Sequence, residues 1–173
     1  MKRFSLLLIF SFSFFFFSCE EEEVIEGCTD QAACNYNPEA TETLPGACNY
    51  PLESILEITY SEDYVTGLVG EEVIAHLYIR NSSCESVSIK ARKMFSVSEE
   101  SSAYFCFAGK CFGPSEVTSP TTLFLESYEE DDYFKSYFNS SEEGLFELKY
   151  RFYLENDLST YIEKTITYEI TSP

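Results

Sequence analysis

The sequence predicts an all-β fold: an antiparallel β-sandwich over residues 52–173, preceded by a small cysteine-rich loop module over residues 27–50. Three observations carry this expectation. Beyond Leu52, apolar and polar residues alternate with a period of two, as half-buried strands require. Turn clusters such as Asn-Ser-Ser, Gly-Pro, Ser-Glu-Glu-Gly and Glu-Asn-Asp punctuate about seven such runs, the rhythm of a two-sheet sandwich. No stretch keeps a helical period beyond two turns, and an apolar fraction of 45% is enough to build a core.

The elements follow in order. Lys2 and Arg3 precede an apolar stretch from Phe4 to Phe17 that only serines interrupt, and Cys19 follows Ser18. That stretch falls short of the roughly 20 residues a membrane span needs. Residues 1–18 therefore read as a signal peptide. Phe16-Phe17-Ser18-Cys19 resembles a bacterial lipobox, with Phe16 where Leu is commoner. The resemblance implies that Cys19 is lipidated, and several acyl chains at about 0.8 kcal/mol per buried methylene would anchor the chain stably. Residues 19–26 then form an acidic spacer, because the like charges of Glu20 to Glu23 cannot pack together. An acidic tract directly after the cysteine resembles an export signal of surface lipoproteins in the Bacteroidota. It implies an outer-membrane, surface-facing location.

Seven cysteines less Cys19 leave six, an even number that reads as disulfides in an exported chain. Cys106 and Cys111 flank Ala108-Gly109, a turn that would bring them together across a hairpin. Cys28 and Cys48 bracket the loop module, where closure would contribute about 3 kcal/mol. Cys34 and Cys84 remain, either paired, tying the module to the main domain, or both free. Zinc is not expected: there is no C-x2-C pair, and the one histidine, His76, lies in a strand-like run.

Within the module, Asp30, Asn35, Asn37, Glu39 and Glu42 are oxygen donors on a tight loop, a set that would suit calcium. The competing reading, and the favoured one, is a disulfide-closed spacer in which turn hydrogen bonds use these groups. The stretch GCTDQAACNYNPEATETLPGAC resembles a short repeat of secreted and surface Bacteroidota proteins. Gly27, Cys28, Thr29, Asp30, Ala33, Asn35, Tyr36, Asn37, Pro38, Ala40, Thr41 and Cys48 match it. Where that family closes with Asp-Asp-Gly-Ser-Cys, this chain has Thr43-Leu44-Pro45-Gly46-Ala47-Cys48, without the acids. The family's middle cysteine is often replaced, which supports Cys28–Cys48 as the core pair.

In the main domain, SILEITYS sets Leu56, Ile58 and Tyr60 opposite Glu57, Thr59 and Ser61. EEVIAHLYIRNSS puts Val73, Ala75, Leu77 and Ile79 on one face. SVSIKARKMF does the same with Val87, Ile89 and Ala91, LFELKYRFYLE with Phe146 to Leu154, and TYIEKTITYEIT with Ile162, Ile166, Tyr168 and Ile170. The segment from YFCFAGKCFGPS through SPTTLFLESYEEDDYFKSYFNSSEEGLFELKYRFYLENDLSTYIEKTITYEI resembles an immunoglobulin-like domain of exported Bacteroidota proteins. There a Phe-Cys-x4-Cys-Tyr hairpin precedes an acidic stretch, a Phe/Tyr loop and two final strands; Phe112 replaces the tyrosine here. The resemblance implies a stalk or display domain and no enzymatic activity.

Function classes narrow accordingly. A formal charge of -19, from 30 acidic and 11 basic residues, repels phosphate backbones and argues against nucleic-acid binding. No G-x-S-x-G, S-x-x-K or P-loop is present, and His76 reads as a surface strand residue rather than a catalytic base. Glu129–Asp132 (EEDD) reads as a solvated loop. Tyr128, Tyr133, Phe134, Tyr137 and Phe138 gather in one expected loop, where Tyr133, Phe134, Tyr137 and Phe138 would serve a glycan or other ligand unless they plug the sandwich end. The absence of Trp weighs against a glycan platform. The expectation is a lipid-anchored, surface-exposed, non-catalytic structural or interaction module with no required cofactor and an unidentified protein or glycan partner. The alternative is a carbohydrate- or calcium-binding surface protein.

Overall fold

The computed structural model describes residues 23–173; the expected signal peptide, Cys19 and the first glutamates of the spacer lie outside the described residues. The chain is an all-β, immunoglobulin-like sandwich preceded by a small disulfide-closed loop module. Its strands are β1 (Leu56–Ser61), β2 (Tyr64–Leu68), β3 (Val73–Asn81), β4 (Val87–Lys93), β5 (Ser101–Phe107), β6 (Lys110–Phe112), β7 (Leu123–Leu125), β8 (Glu130–Asp131), β9 (Lys135–Ser140), β10 (Gly144–Leu154) and β11 (Asp157–Thr171).

Two sheets face each other. One runs β1-β3-β9-β5-β6, with β8 also pairing β3; the other runs β2-β11-β10-β4-β7. Every pairing is antiparallel except β2 against β11. The short link between β1 and β2 carries the chain from one sheet to the other, so one N-terminal segment edges both sheets and joins them.

Alternation places the core as expected in β3, β4, β10 and β11: Ala75, Leu77, Ile79, Ile89, Ala91, Leu148, Tyr150, Phe152, Ile166, Tyr168 and Ile170 are buried. Strand β1 departs from the reading. Its register against β3 slips between Ile58 and Tyr60, and Tyr60 ends opposite the outward-facing Tyr78. A bulge inserts one residue and reverses the alternation beyond it. Tyr60 is therefore exposed, its ring tilted 44° against that of Tyr78 at 4.8 Å, instead of entering the core.

The acidic run is also not a loop throughout. Glu130 and Asp131 pair with Arg80 and Ile79 as β8. Glu130 accepts hydrogen bonds from Thr59 (2.6 Å) and Arg80 (2.9 Å), which hold its carboxyl below the usual range. Asp131 moves the other way, because burial raises its pKa.

A polar cluster sits inside the sandwich. Tyr168 donates to the Ser136 hydroxyl (2.7 Å) and backbone oxygen (2.9 Å), and the Tyr150 hydroxyl lies 2.8 Å from Ser136 Oγ. All three residues are fully buried, and burial pushes both phenols up. Ser136→Ala strips Tyr150 of its partner but leaves Tyr168 the backbone carbonyl. One orphaned buried hydroxyl is expected to cost about 1–3 kcal/mol, and adding Tyr150→Phe should recover most of it. Denaturant melts of the single and double variants check this. A double variant no more stable than the single would sink it.

Candidate functional site

The loop module, residues 27–50 and here called the collar, is built from turns. Cys28–Cys48 closes it, and Gly27 N donates to Glu42 O (3.0 Å) while Asn37 N donates to Cys28 O (2.8 Å). Gly27 lies so close to Ala40 that an added Cβ would stand 3.0 Å from the alanine's own. Asn35 bridges the loop, donating to Ala47 O (2.6 Å) and accepting from Asn49 N (2.8 Å). Asp30 accepts from Ala32 N (2.9 Å) and the Tyr50 hydroxyl (2.7 Å), bonds that hold its carboxyl below the usual range. Asn37 Oδ1 caps Glu39 N at 3.0 Å.

The oxygens read as calcium donors at Asp30, Asn35 and Asn37 thus face backbone amides and a phenol rather than a common centre. Glu42 is exposed and contributes its backbone carbonyl to the collar. Among the described residues, no group of three or more His, Cys, Asp or Glu side chains is placed to hold a metal ion.

Cys34 joins Cys84, a covalent tie from the collar to the β3–β4 loop of the sandwich. That loop is stiff. Asn81, fully buried, donates to Glu85 O (2.7 Å) and Glu126 O (2.9 Å) and accepts from Ser83. A cleft of about 410 Å³ opens beside the bridge, lined by Ile55, Ser83, Cys84, Val87, Ser88 and Leu154 among others. The third disulfide, Cys106–Cys111, spans the β5–β6 hairpin. Its turn places Ala108 and Gly109 at positive φ (51° and 74°), the geometry of a tight two-residue hairpin.

The aromatic residues divide by face. Phe134 and Phe138 are buried, at 0% and 1% exposure, and belong to the core. This corrects their assignment to a ligand-binding loop: Tyr137 and Phe138 lie in β9, and Phe134 directly precedes it. Tyr137 faces outward and stacks on Tyr104 at 4.4 Å with the rings nearly parallel. The Tyr104 hydroxyl donates to Glu72 (2.9 Å); its pKa is pushed up to about 12, by burial first and then by that bond. Tyr133 also stays on the outer side, 5.9 Å from the Lys135 ammonium. Sequence reading missed Tyr104 as a partner of Tyr137, though both sit at outward positions of an alternating run.

His76 lies on the same outer face. Its Nδ1 is 2.8 Å from Glu62 Oε2, which also accepts from the His76 backbone N (2.7 Å). The bonds from His76 hold the Glu62 carboxyl below its usual range. The pair fastens the β1–β2 corner to β3.

No family model and no curated protein matches the chain. Among solved structures, it is similar to an ASH/PapD-like domain of human CEP192, at 14% identity over 78% of this chain and 97% of that domain, TM-score 0.46. It is similar to the N-terminal domain of PorA, at 14% identity over 68% of this chain and 96% of that one, TM-score 0.44. It is also similar to a conjugative transposon lipoprotein from Bacteroides eggerthii, at 16% identity over 65% of this chain and 93% of that one, TM-score 0.38. At these levels the likenesses assign no function, and the fold rests on the strand order and pairing described above.

Proposed function

We propose that the protein is a lipid-anchored, exported, non-catalytic β-sandwich, displayed at the outer membrane as a structural or interaction module for a protein or glycan partner. One observation carries the reading. All six cysteines in the described residues are paired in disulfides, which belong to an oxidising compartment, and Cys19 is left over at the end of an apolar leader. In this organisation residues 1–18 are removed, Cys19 carries the lipid, residues 20–26 form the acidic spacer, and the collar joins that spacer to the sandwich. Among the described residues, no helix is long and apolar enough to cross a membrane. The leader and lipid would supply the attachment.

Cys19→Ala is expected to move the protein from the membrane fraction to the soluble exported fraction, and to remove an acyl mass from its N-terminal peptide. Protease shaving of intact cells should digest the native chain if it faces outward. Retention of the variant in the membrane fraction with an unchanged N-terminal mass would refute the anchor. Full protection of the native chain from protease would refute surface display.

A further inference from the structure

The outer face of the five-stranded sheet carries an unusual concentration of positive charge for so acidic a chain. Strand β4 presents Lys90 and Arg92 there, and β10 presents Lys149 and Arg151. Two carboxylates answer these four cations. Glu163 accepts from Arg151 Nε (2.8 Å) and Nη2 (2.6 Å) and meets Lys149, while Glu155 lies 3.5 Å from Lys90. The bonds from Lys149 and Arg151 hold the Glu163 carboxyl below its usual range. Arg92 is exposed, and among the described residues no carboxylate lies within 4.0 Å of it.

Register sharpens this. Arg92 and Arg151 stand directly opposite each other on neighbouring strands. Like charges in that relation are destabilising, and a free sheet face has no folding reason to keep them so. Arg151 is also held in place from below, with its guanidinium 4.1 Å over the Tyr161 ring. The two arginines line a cleft of about 130 Å³ whose other walls are Tyr153 and Leu158. Leu158 is 67% exposed, an apolar edge presented to solvent beside two guanidinium groups.

We infer that this cleft binds the carboxylate of an acidic sugar residue, of the uronate or sialate class. Planar guanidinium forks match a carboxylate's two oxygens, and Arg92 has its full set of donors to offer. The Tyr153 and Leu158 walls suit the C–H face of one pyranose ring. The net charge of -19 repels polyanions, so the ligand presents its charge singly rather than as a phosphate or sulfate chain. This site is distinct from the Tyr133/Tyr137 surface on the other sheet and does not depend on how the chain is anchored.

The test is a titration of the full chain with glucuronate and with N-acetylneuraminate, followed by amide chemical shifts, with glucose and inorganic phosphate as comparison ligands. The expected result is saturable shifts confined to Arg92, Arg151, Tyr153 and Leu158 with at least one acidic sugar, and none with glucose. Arg92→Gln should weaken that binding about tenfold or more. Lys135→Gln, on the opposite sheet, removes the same charge and should leave affinity unchanged. Absence of saturable shifts with both acidic sugars would overturn the inference. So would equal binding of phosphate at the same amides, unchanged affinity in Arg92→Gln, or an equal loss in Lys135→Gln.

Discussion

Phe134→Ala is expected to destabilise the sandwich by about 3–5 kcal/mol, the range for truncating a fully buried aromatic. The ring fills the middle of the core. Its centroid lies 5.1 Å from Tyr150 and 4.9 Å from Phe152, both edge-to-face, and 6.2 Å from Phe105. Two partners from β10 on the facing sheet and one from β5 on its own cannot all collapse into the space left, so the lost contacts become a cavity. Against a typical domain stability of about 5–15 kcal/mol, such a loss takes a large share of the total. Tyr133→Ala, one residue earlier and on the outer side, should stay within about 0.5 kcal/mol. Chemical denaturation of both variants reads the contrast. A Phe134 variant within about 1 kcal/mol of the native protein would contradict the packing, and a Tyr133 variant equally damaged would contradict the division of faces.

That same segment shows what the sequence hides. In KSYFNS the inward positions are Ser136, Phe138 and Ser140, and the outward ones Lys135, Tyr137 and Asn139. Inward serines invert the usual code, so the run looks like a polar loop studded with aromatics. The serine is inside because Tyr150 and Tyr168 arrive from the facing sheet with hydroxyls that need a partner. That need is visible only after the sheets are stacked. Tyr60 fails for another reason: a bulge is a property of two paired strands, and the alternation of one strand cannot announce it. Strands β3, β4, β10 and β11 were legible because their inward positions are mostly apolar, and their departures, inward Asn81 and Lys93 and a register shift at Tyr153/Leu154, fall at strand ends. The cysteine-based reading had firm footing only at Cys106 and Cys111, where a turn sequence lies between them. The Arg92–Arg151 cleft was not legible at all, since it arises from the register of β4 against β10, far apart in the chain.

Replacing Cys34 and Cys84 together by serine is expected to release the collar from the sandwich. The bridge closes a loop with a sequence separation of 50, for which the chain-entropy account gives up to about 4 kcal/mol. Just past the junction, Leu52 N donates to Ser82 O (3.1 Å) and Ser82 N to Ile55 O (2.8 Å), which seats the first residues of the sandwich. The collar should survive as a folded loop, because Cys28–Cys48 and the Asn35 bonds close it from within. The sandwich should survive too, because Asn81 holds the β3–β4 loop through its own hydrogen bonds and not through the bridge. What changes is the coupling between them. Hydrogen exchange should quicken at Leu52 and Ser82 while the amides of β10 and β11 keep their protection, and nitrogen relaxation should report a collar tumbling apart from the sandwich. Cys28→Ser with Cys48→Ser should do the reverse, loosening the collar internally at Gly27 and Asn37 while leaving it tethered. If the Cys34/Cys84 variant keeps the exchange pattern and tumbles as one body, packing against the Ile55–Leu154 cleft, not the cross-link, fixes the collar. If the chain is anchored through Cys19 as proposed, the difference is functional: a docked collar sets the direction in which the sandwich and its Arg92 face point, and a freed one lets them swing.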